Sequence, residues 1–288
     1  MLISNEISTA SLIVGEERAV ELMAKAGFDC YDFSMLRMAK YSSKEERFLF
    51  EDHPLHGPNY LKFARRIKNV ADACGITCNQ SHAPFPSHRE QVASYLERAL
   101  ECSAEAGAKI CVIHPRCFDT AEENAEFYGK LLPLAKSYGV RIATENMWNW
   151  DKEKDEACPC ACSTAADFVA HVDAVNDPYL VACLDIGHAE MRGLGTDSVE
   201  MIHALGHRLQ ALHIHDNDKW HDSHRLPFTM DIDFVPIVKA LKEIGYQGEF
   251  TLEVDHHLDA YGEENILEGV RVMAEVARKL ADLFDSAS

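Results

Sequence analysis

The chain has 288 residues, of which 47% are hydrophobic, and its 47 acidic and 28 basic residues give a formal net charge of −19. This length and hydrophobic content suit a folded chain with a large core and exclude an intrinsically disordered protein. A surface this acidic repels phosphate backbones and anionic membranes, so neither nucleic acid nor a membrane is an expected partner.

Short apolar runs, which are typical of buried strands, recur along the chain. The eight predicted strands are Leu2–Ile7, Cys30–Ser34, Thr77–His82, Lys109–His114, Arg141–Glu145, Val181–Asp185, Ala211–His215 and Glu249–Glu253. Amphipathic stretches between them predict helices over Glu16–Ala26, Asn59–Cys74, Arg89–Ala106, Ala121–Tyr138, Ala165–Val175, Val199–Leu205, Phe234–Ile244 and about Glu264–Leu283. Several of these helices end near a glycine, which suits C-terminal capping.

Strands that alternate with helices eight times predict a closed parallel barrel, a single (β/α)8 TIM barrel domain over residues 1–288. The alternative is a doubly wound open sheet. That fold usually carries a glycine-rich phosphate loop after its first strand, and neither GxGxxG nor GxxxxGK[ST] occurs here. Two long connections, residues 36–58 and 146–163, are expected at the C-terminal face of the barrel, where loops shape the substrate site.

The sequence also indicates where the protein resides. The first residues lack a basic segment followed by an apolar stretch, and no run of 18 apolar residues occurs, so neither a signal peptide nor a membrane span is predicted. Ten scattered cysteines indicate free thiols of a cytoplasmic protein. Cys158, Cys160 and Cys162 are expected in an exposed loop, and their spacing matches no common zinc pattern, so their role stays open.

Polar residues recur at the predicted C-terminal ends of six successive strands. They are His82, His114, Glu145, Asp185, His215 and Glu253. A barrel brings these strand ends together around one rim, although they are distant in sequence. Converging carboxylates and imidazoles are costly unless something compensates them, and a divalent cation such as zinc, manganese or magnesium would do so.

Further polar residues are predicted near this rim. His213 precedes His215 by two positions, so both side chains point to the same side of their strand. We expect one of them to be the ligand and favour His215, which lies closer to the predicted strand end, with His213 in a supporting position or a barrel layer. His188 follows Asp185 by three residues and could instead cap the next element. Trp148 and Trp150 would form an apolar wall or lid, or simply pack.

Five strings in the sequence carry a family resemblance. They are Thr-Glu-Asn-Met (144–147), Leu-Asp-Ile-Gly-His (184–188), Leu-His-Ile-His-Asp-Asn-Asp (212–218), Asp-Ser-His-Arg-Leu-Pro (222–227) and Leu-Glu-Val (252–254). Together they resemble the xylose isomerase-like barrel superfamily, which contains sugar and sugar-phosphate isomerases and epimerases, inosose dehydratases and endonuclease IV. The resemblance covers most of the chain and is strongest from 77 to 255.

The resemblance implies site residues, and its two branches differ. In the epimerase branch the matching metal ligands are Glu145, Asp185, His215 and Glu253, and the match to His188 contacts substrate. Endonuclease IV binds three zinc ions. By that resemblance His82, His114 and Glu145 would hold the first ion, the epimerase quartet the second, and His188, Asp222 and His224 the third.

The resemblance therefore implies a divalent-metal-dependent sugar or sugar-phosphate isomerase or epimerase of carbohydrate metabolism. Glu145 and Glu253 would transfer the proton through an enediolate. The remaining site residues, His188, His82, His114, Asp222 and His224, would bind substrate hydroxyls or additional metal ions. A zinc phosphoesterase like endonuclease IV, an inosose-dehydratase-type lyase and a binding protein without turnover are the alternatives, and a homo-oligomer stays open. The acidic charge and the lack of a basic DNA-reading loop favour the isomerase.

Overall fold

The computed structural model describes residues 1–287. Its strands are β1 (Ile3–Asn5), β2 (Cys30–Ser34), β3 (Tyr41–Ser42), β4 (Arg47–Phe48), β5 (Thr77–His82), β6 (Ile110–Val112), β7 (Arg141–Glu145), β8 (Trp148–Asp151), β9 (Glu156–Pro159), β10 (Leu180–Asp185), β11 (Leu209–His213) and β12 (Phe250–Leu252). Its α-helices are α1 (Ser8–Val14), α2 (Glu16–Ala26), α3 (Tyr60–Cys74), α4 (Glu90–Ala93), α5 (Leu96–Ala106), α6 (Ala121–Tyr138), α7 (Ala165–Val175), α8 (Ile186–Ala189), α9 (Ser198–Leu205), α10 (Phe234–Glu243) and α11 (Ile266–Ser286).

Eight parallel strands form the centre of the protein. Six of them make one sheet in the order β11-β10-β7-β6-β5-β2, and β1 pairs with β12. Single parallel bridges, Glu6 to Asp32 and Ile214 to Leu252, join this pair to the two edges of the larger sheet. The strands therefore close into an α/β barrel, which confirms the predicted fold class.

Local sequence explains where several helices begin and end. The helices α2, α3, α5 and α6 all end at a glycine in the left-handed conformation, which glycine adopts without steric cost. The start of α6 is a capping box, in which Thr120 accepts from the Glu123 main-chain N–H while the Glu123 carboxylate accepts from the Thr120 N–H. These signals set the element boundaries that carry side chains to the barrel rim.

The observed elements differ from the predicted ones in several places. The strand predicted over Ala211–His215 is shifted and runs over Leu209–His213, because its pairing with β10 ends where Asp185 lies opposite His213. The helix predicted over Arg89–Ala106 is two helices, α4 and α5. The helix α1 lies in a segment for which no helix was predicted.

Both long connections contain small antiparallel hairpins that the sequence analysis did not identify. Residues 36–58 contain β3 and β4, and residues 146–163 contain β8 and β9. The prediction of an exposed loop for the three clustered cysteines is wrong for Cys162, which is fully buried, while Cys158 belongs to β9. All ten cysteines are free thiols in the described part of the chain. None of the helices within residues 1–287 combines the length and apolar character needed to cross a membrane.

Candidate metal centre and active-site pocket

A cavity of about 290 Å³ opens at the C-terminal ends of the barrel strands. Glu145 and Glu253 line it, and none of its lining residues in the described chain is Lys or Arg. A larger cavity of about 730 Å³ lies at the opposite end, where β5 and β7 begin. Barrel enzymes place their chemistry at the C-terminal ends of the strands, so the smaller cavity is the candidate site.

Four side chains converge at the inner end of this cavity. Glu145, Asp185, His213 and Glu253 each offer one ligand atom, and these atoms all lie within 4.8 Å of one another. The first three are the last residues of β7, β10 and β11, and Glu253 directly follows β12. These four strands are successive neighbours in the barrel, so their ends bring the four side chains together.

His213 holds the position that the sequence analysis expected for His215. Its Nδ1 atom lies 2.8 Å from Glu145 Oε1 and 3.4 Å from Glu253 Oε2. His215 points to the same side of the barrel but lies two residues beyond the end of β11. Its Nε2 atom is 3.1 Å from Asp185 Oδ1, and it does not join the group that contains the two glutamates.

His215 belongs to a second group, together with His188, Asp222 and His224. The Asp222 carboxylate lies at its centre, because Oδ2 is 3.2 Å from His188 Nε2, and Oδ1 is 3.3 Å from His215 Nε2 and 3.2 Å from His224 Nε2. The rings of His215 and His224 stack with centroids 4.0 Å apart. Three imidazole nitrogens thus surround one carboxylate.

A third group joins His82 and His114 to Glu145. His114 Nε2 lies 3.0 Å from Glu145 Oε2 and also 3.0 Å from His82 Nε2. Phe85 stacks on His114 with ring centroids 4.9 Å apart. Glu145 therefore links this third group to the first, with Oε1 near His213 and Oε2 near His114.

Several polar atoms in these groups lack hydrogen bonds. Glu145 Oε2, Asp185 Oδ2, His215 Nε2 and Asp222 Oδ1 are buried and make no hydrogen bond with any described residue. Buried polar atoms are nearly always paired, so each such atom requires an explanation. Carboxylate and imidazole donors suit zinc, manganese and magnesium, and a bound cation would satisfy these atoms. The residues present therefore fit a divalent metal ion.

The surroundings of the two glutamates shift their pKa values in opposite directions. Burial alone would raise the pKa of Glu145, but His213, His114 and His82 outweigh it and hold this pKa well below its usual value. Burial raises the pKa of Glu253, and His213 and His224 offset this only in part. The Glu145 carboxyl group therefore loses its proton more readily than that of Glu253.

His188, a member of the second group, has a raised pKa. Burial opposes its charge, but Asp185 and Asp222 raise its pKa to about 10. Its Nδ1–H donates to the Asn146 carbonyl at 2.8 Å, which orients Nε2 toward Asp222. Protonated His188 can donate to a substrate oxygen, and after loss of that proton to solvent its Nε2 lone pair can bind a metal ion.

Residues that the sequence analysis did not single out hold these side chains in place. Asn146 is bonded twice to the Asp185 main chain. The carboxylate of Asp216 accepts four main-chain N–H groups, from residues 217, 229, 230 and 232, and so fixes the loop that carries Asp222 and His224. Both residues lie within strings that carry the resemblance, which is the signal that could have found them.

Trp148 forms one wall of the cavity. Its Nε1–H donates to Asp222 Oδ2 at 3.3 Å, and its ring lies 6.4 Å from the ring of His188. Trp150, on the same hairpin strand, stacks on His221 instead and does not line the cavity. The hairpin of β8 and β9 therefore contributes one aromatic side chain to the site.

Comparisons with known proteins agree with this architecture. A profile of the family described as Xylose isomerase-like TIM barrel matches residues 20–276. An uncharacterized protein of Methanocaldococcus jannaschii is 27% identical over 253 residues, which are 82% of this chain and 83% of that protein.

Two solved structures resemble the whole chain. The IolI protein with a binding zinc atom is 18% identical, with a TM-score of 0.71, and covers 100% of this chain and 99% of its own. D-psicose 3-epimerase from Clostridium cellulolyticum, solved with D-tagatose, is 17% identical, with a TM-score of 0.69 and coverage of 97% and 99%. At these identities the likeness shows a shared fold. The profile match spans most of the sequence, so the chain belongs to the xylose isomerase-like TIM barrel family.

Proposed function

We propose that this chain is a divalent-metal-dependent isomerase or epimerase that acts on a sugar or a related polyol. The observation that carries the proposal is the convergence of Glu145, Asp185, His213 and Glu253 at one end of the cavity. Three of these residues were expected from the sequence, and His213 replaces His215 in the proposed ligand set. When bound, the cation would polarise a substrate carbonyl and acidify the neighbouring C–H group.

The two glutamates supply the proton transfer. Their surroundings push their pKa values in opposite directions, which is the arrangement that assigns one carboxyl group to each role. One carboxylate removes a proton from carbon and gives an enediolate of the substrate, and the other carboxyl group returns a proton. Return to the opposite face of the same carbon inverts it, whereas return to the adjacent carbon isomerises the sugar.

The pocket favours an uncharged substrate of monosaccharide size. Its volume of about 290 Å³ lies at the lower end of the range for small-molecule sites. Phe85 and Trp148 offer apolar faces to the C–H side of a sugar ring, and polar side chains face them. Asp222 and Asp255 line the same cavity, and none of its described lining residues is a Lys or Arg that could bind a phosphate group. We therefore infer an unphosphorylated ketose or inosose.

The test is the loss of turnover in two variants. Glu145→Gln and Glu253→Gln should each lower turnover of an epimerisable ketose by about 10²–10⁴-fold, since general acid–base catalysis contributes that much. Glu249→Gln, just before β12 at the opposite end of the barrel, is the matched control and should retain activity. Near-normal turnover in either site variant would contradict the two-carboxylate mechanism.

A second candidate function is a zinc phosphoesterase that acts on nucleic acid. The observation in its favour is that the nine residues matched to endonuclease IV, with His213 in the place expected for His215, lie in three contiguous ligand groups. The acidic net charge and the absence of Lys and Arg from the described pocket lining weigh against it. We expect no nicking of duplex DNA with abasic sites by zinc- or manganese-loaded protein at low salt. Metal-dependent nicking that Glu145→Gln abolishes would favour the nuclease instead.

A further inference from the structure

His213 is held by carboxylates at both of its ring nitrogens. On one side, Nδ1 lies 2.8 Å from Glu145 Oε1, within the group of four ligand atoms. On the other side, Nε2 lies 3.1 Å from Oδ2 of Asp32. Asp32 and His213 are both fully buried. The ring therefore has one nitrogen directed to the candidate metal centre and one directed away from it.

Asp32 is itself held in place by Gln80. The two residues are paired across β2 and β5, and Gln80 Nε2 donates to Asp32 Oδ2 at 2.8 Å. The second N–H of that amide is directed to the Leu212 carbonyl at 3.4 Å, and Gln80 Oε1 accepts from Thr251 Oγ1 at 3.4 Å. Gln80 Nε2 also lies 3.1 Å from His213 Nε2. An ionised carboxylate can only accept, so the 3.1 Å contact with Asp32 Oδ2 is made by a hydrogen on His213 Nε2.

The hydrogen on Nε2 determines what Nδ1 can do. A neutral imidazole has one N–H and one lone pair, and a metal-binding nitrogen must offer the lone pair. Carboxylates that accept from the far nitrogen of a ligating histidine fix its tautomer and ring orientation and make it a stronger donor. We propose that Asp32 is the positioning residue for His213, which it keeps protonated on Nε2 so that Nδ1 faces the metal with its lone pair. This inference rests on the metal site proposed above.

Burial of the Asp32 carboxylate costs free energy, which its role in orienting His213 would explain. Its Oδ1 atom is buried and makes no hydrogen bond with any described residue. A buried carboxylate is expensive to desolvate, and a buried ion pair often contributes no net stability compared with apolar residues of the same volume. A residue retained only for packing would not need this charge.

Zinc affinity, measured by competition with a chromophoric chelator, tests the proposal. Asp32→Asn removes the charge at nearly unchanged volume and should weaken zinc binding about 10–100-fold, the usual effect of removing an outer partner of a ligand. Asp32→Glu restores the charge and should recover part of the affinity. Asp72→Asn, the same change at an exposed position on α3, should have no effect. Zinc affinity within about twofold of the unaltered chain in a folded Asp32→Asn variant would overturn the proposal.

A second measurement does not depend on the folding of any Asp32 variant. Nitrogen-15 NMR of the zinc-loaded, unaltered chain should show His213 with hydrogen on Nε2 and zinc on Nδ1, the resonance being assigned by its loss in His213→Gln. Hydrogen on Nδ1 with zinc on Nε2 would refute the role of Asp32. If Glu145→Gln binds zinc as tightly as the unaltered chain, the proposed metal site itself fails. If Glu145→Gln loses zinc and Asp32→Asn does not, only the present inference fails.

Discussion

Asn146 and Asp185 are joined by a reciprocal pair of hydrogen bonds. The Asn146 side chain accepts from the Asp185 N–H at 2.7 Å and donates to the Asp185 carbonyl at 2.9 Å. Both residues are buried, and they lie where β7 and β10 end. This pair locks the two strand ends that carry Glu145 and Asp185, so that two candidate ligands from different strands keep a fixed separation.

Removal of this link should weaken both the fold and the site. Asn146→Ala leaves a buried N–H and a buried carbonyl of Asp185 unpaired, at a cost of about 1–3 kcal/mol for each group. We expect a lower free energy of unfolding in urea and weaker zinc binding. Asn149→Ala, three residues further along at an exposed position of β8, is the control. An Asn146→Ala chain that matches this control in both measurements would show that the pair does not hold the site.

Gly187 should be essential because its backbone packs directly against a site histidine. A Cβ atom at this position would overlap the imidazole ring of His215. Gly187→Ala must therefore displace His215 or the main chain, at a cost of about 1–3 kcal/mol. Gly129→Ala, in the middle of α6 with nothing within 4 Å of the added Cβ, should instead stabilise by about 0.5–1 kcal/mol. Thermal unfolding compares the two, and a neutral Gly187→Ala would show that His215 is not confined by this contact.

Because His213 and His215 lie in different ligand groups, replacing each should remove a different metal ion. We expect His213→Ala to lose the ion held with Glu145, Asp185 and Glu253, and His215→Ala to lose only an ion held with Asp222. Elemental analysis after equilibration with zinc and removal of free metal measures the bound equivalents. The ion held with Glu145, Asp185 and Glu253 decides between the two histidines. If His215→Ala loses this ion and His213→Ala keeps it, the sequence-based choice of His215 is right and the proposed ligand set is wrong.

A buried histidine far from the pocket predicts a pH-dependent stability. His171 on α7 is 3% exposed, and its Nδ1 lies 3.4 Å from Asp167 Oδ1. Burial opposes the charge of His171, but the contacts with Asp167 outweigh it and raise the pKa above its ordinary value. A histidine whose pKa is raised by folding stabilises the protein below its unfolded pKa of about 6.5, and this contribution is lost as pH rises through the folded pKa.

His171→Gln should therefore lose more stability at about pH 5.5 than at about pH 8.5. The free energy of unfolding in urea, measured for both chains at the two pH values, gives the difference. His203→Gln, at an exposed position of α9, controls for loss of a surface imidazole. Equal losses at both pH values for His171→Gln would mean that the charge of His171 does not stabilise the fold.

The sequence identifies candidate ligands best where an apolar run ends at a polar residue. The runs before Glu145 and Asp185 stop at these carboxylates, and both strands end there. His213 and His215 could not be ordered in this way, because only Ile214 separates them and they share one side of the strand. Their order follows from pairing with β10, a tertiary contact that sequence spacing does not contain.

The sequence around some residues of the barrel interior does not indicate their roles. Asp32 lies within β2 and Gln80 within β5, and each is polar in a buried run without any motif around it. Their roles follow from contact with His213, which is 181 and 133 residues away in the chain. The two hairpins were missed for another reason, since strands of two to four residues are too short for a periodic pattern to emerge.

Deuterium uptake from heavy water tests the proposed function most directly. Manganese-loaded protein would be incubated with unphosphorylated ketoses and inososes and with their phosphates, and carbon-bound deuterium measured by mass spectrometry. We predict uptake at one carbon of an unphosphorylated substrate, greatly reduced in Glu145→Gln and Glu253→Gln and retained in Glu249→Gln. Absence of uptake from every substrate by metal-loaded protein, or uptake that persists in both glutamate variants, would contradict it.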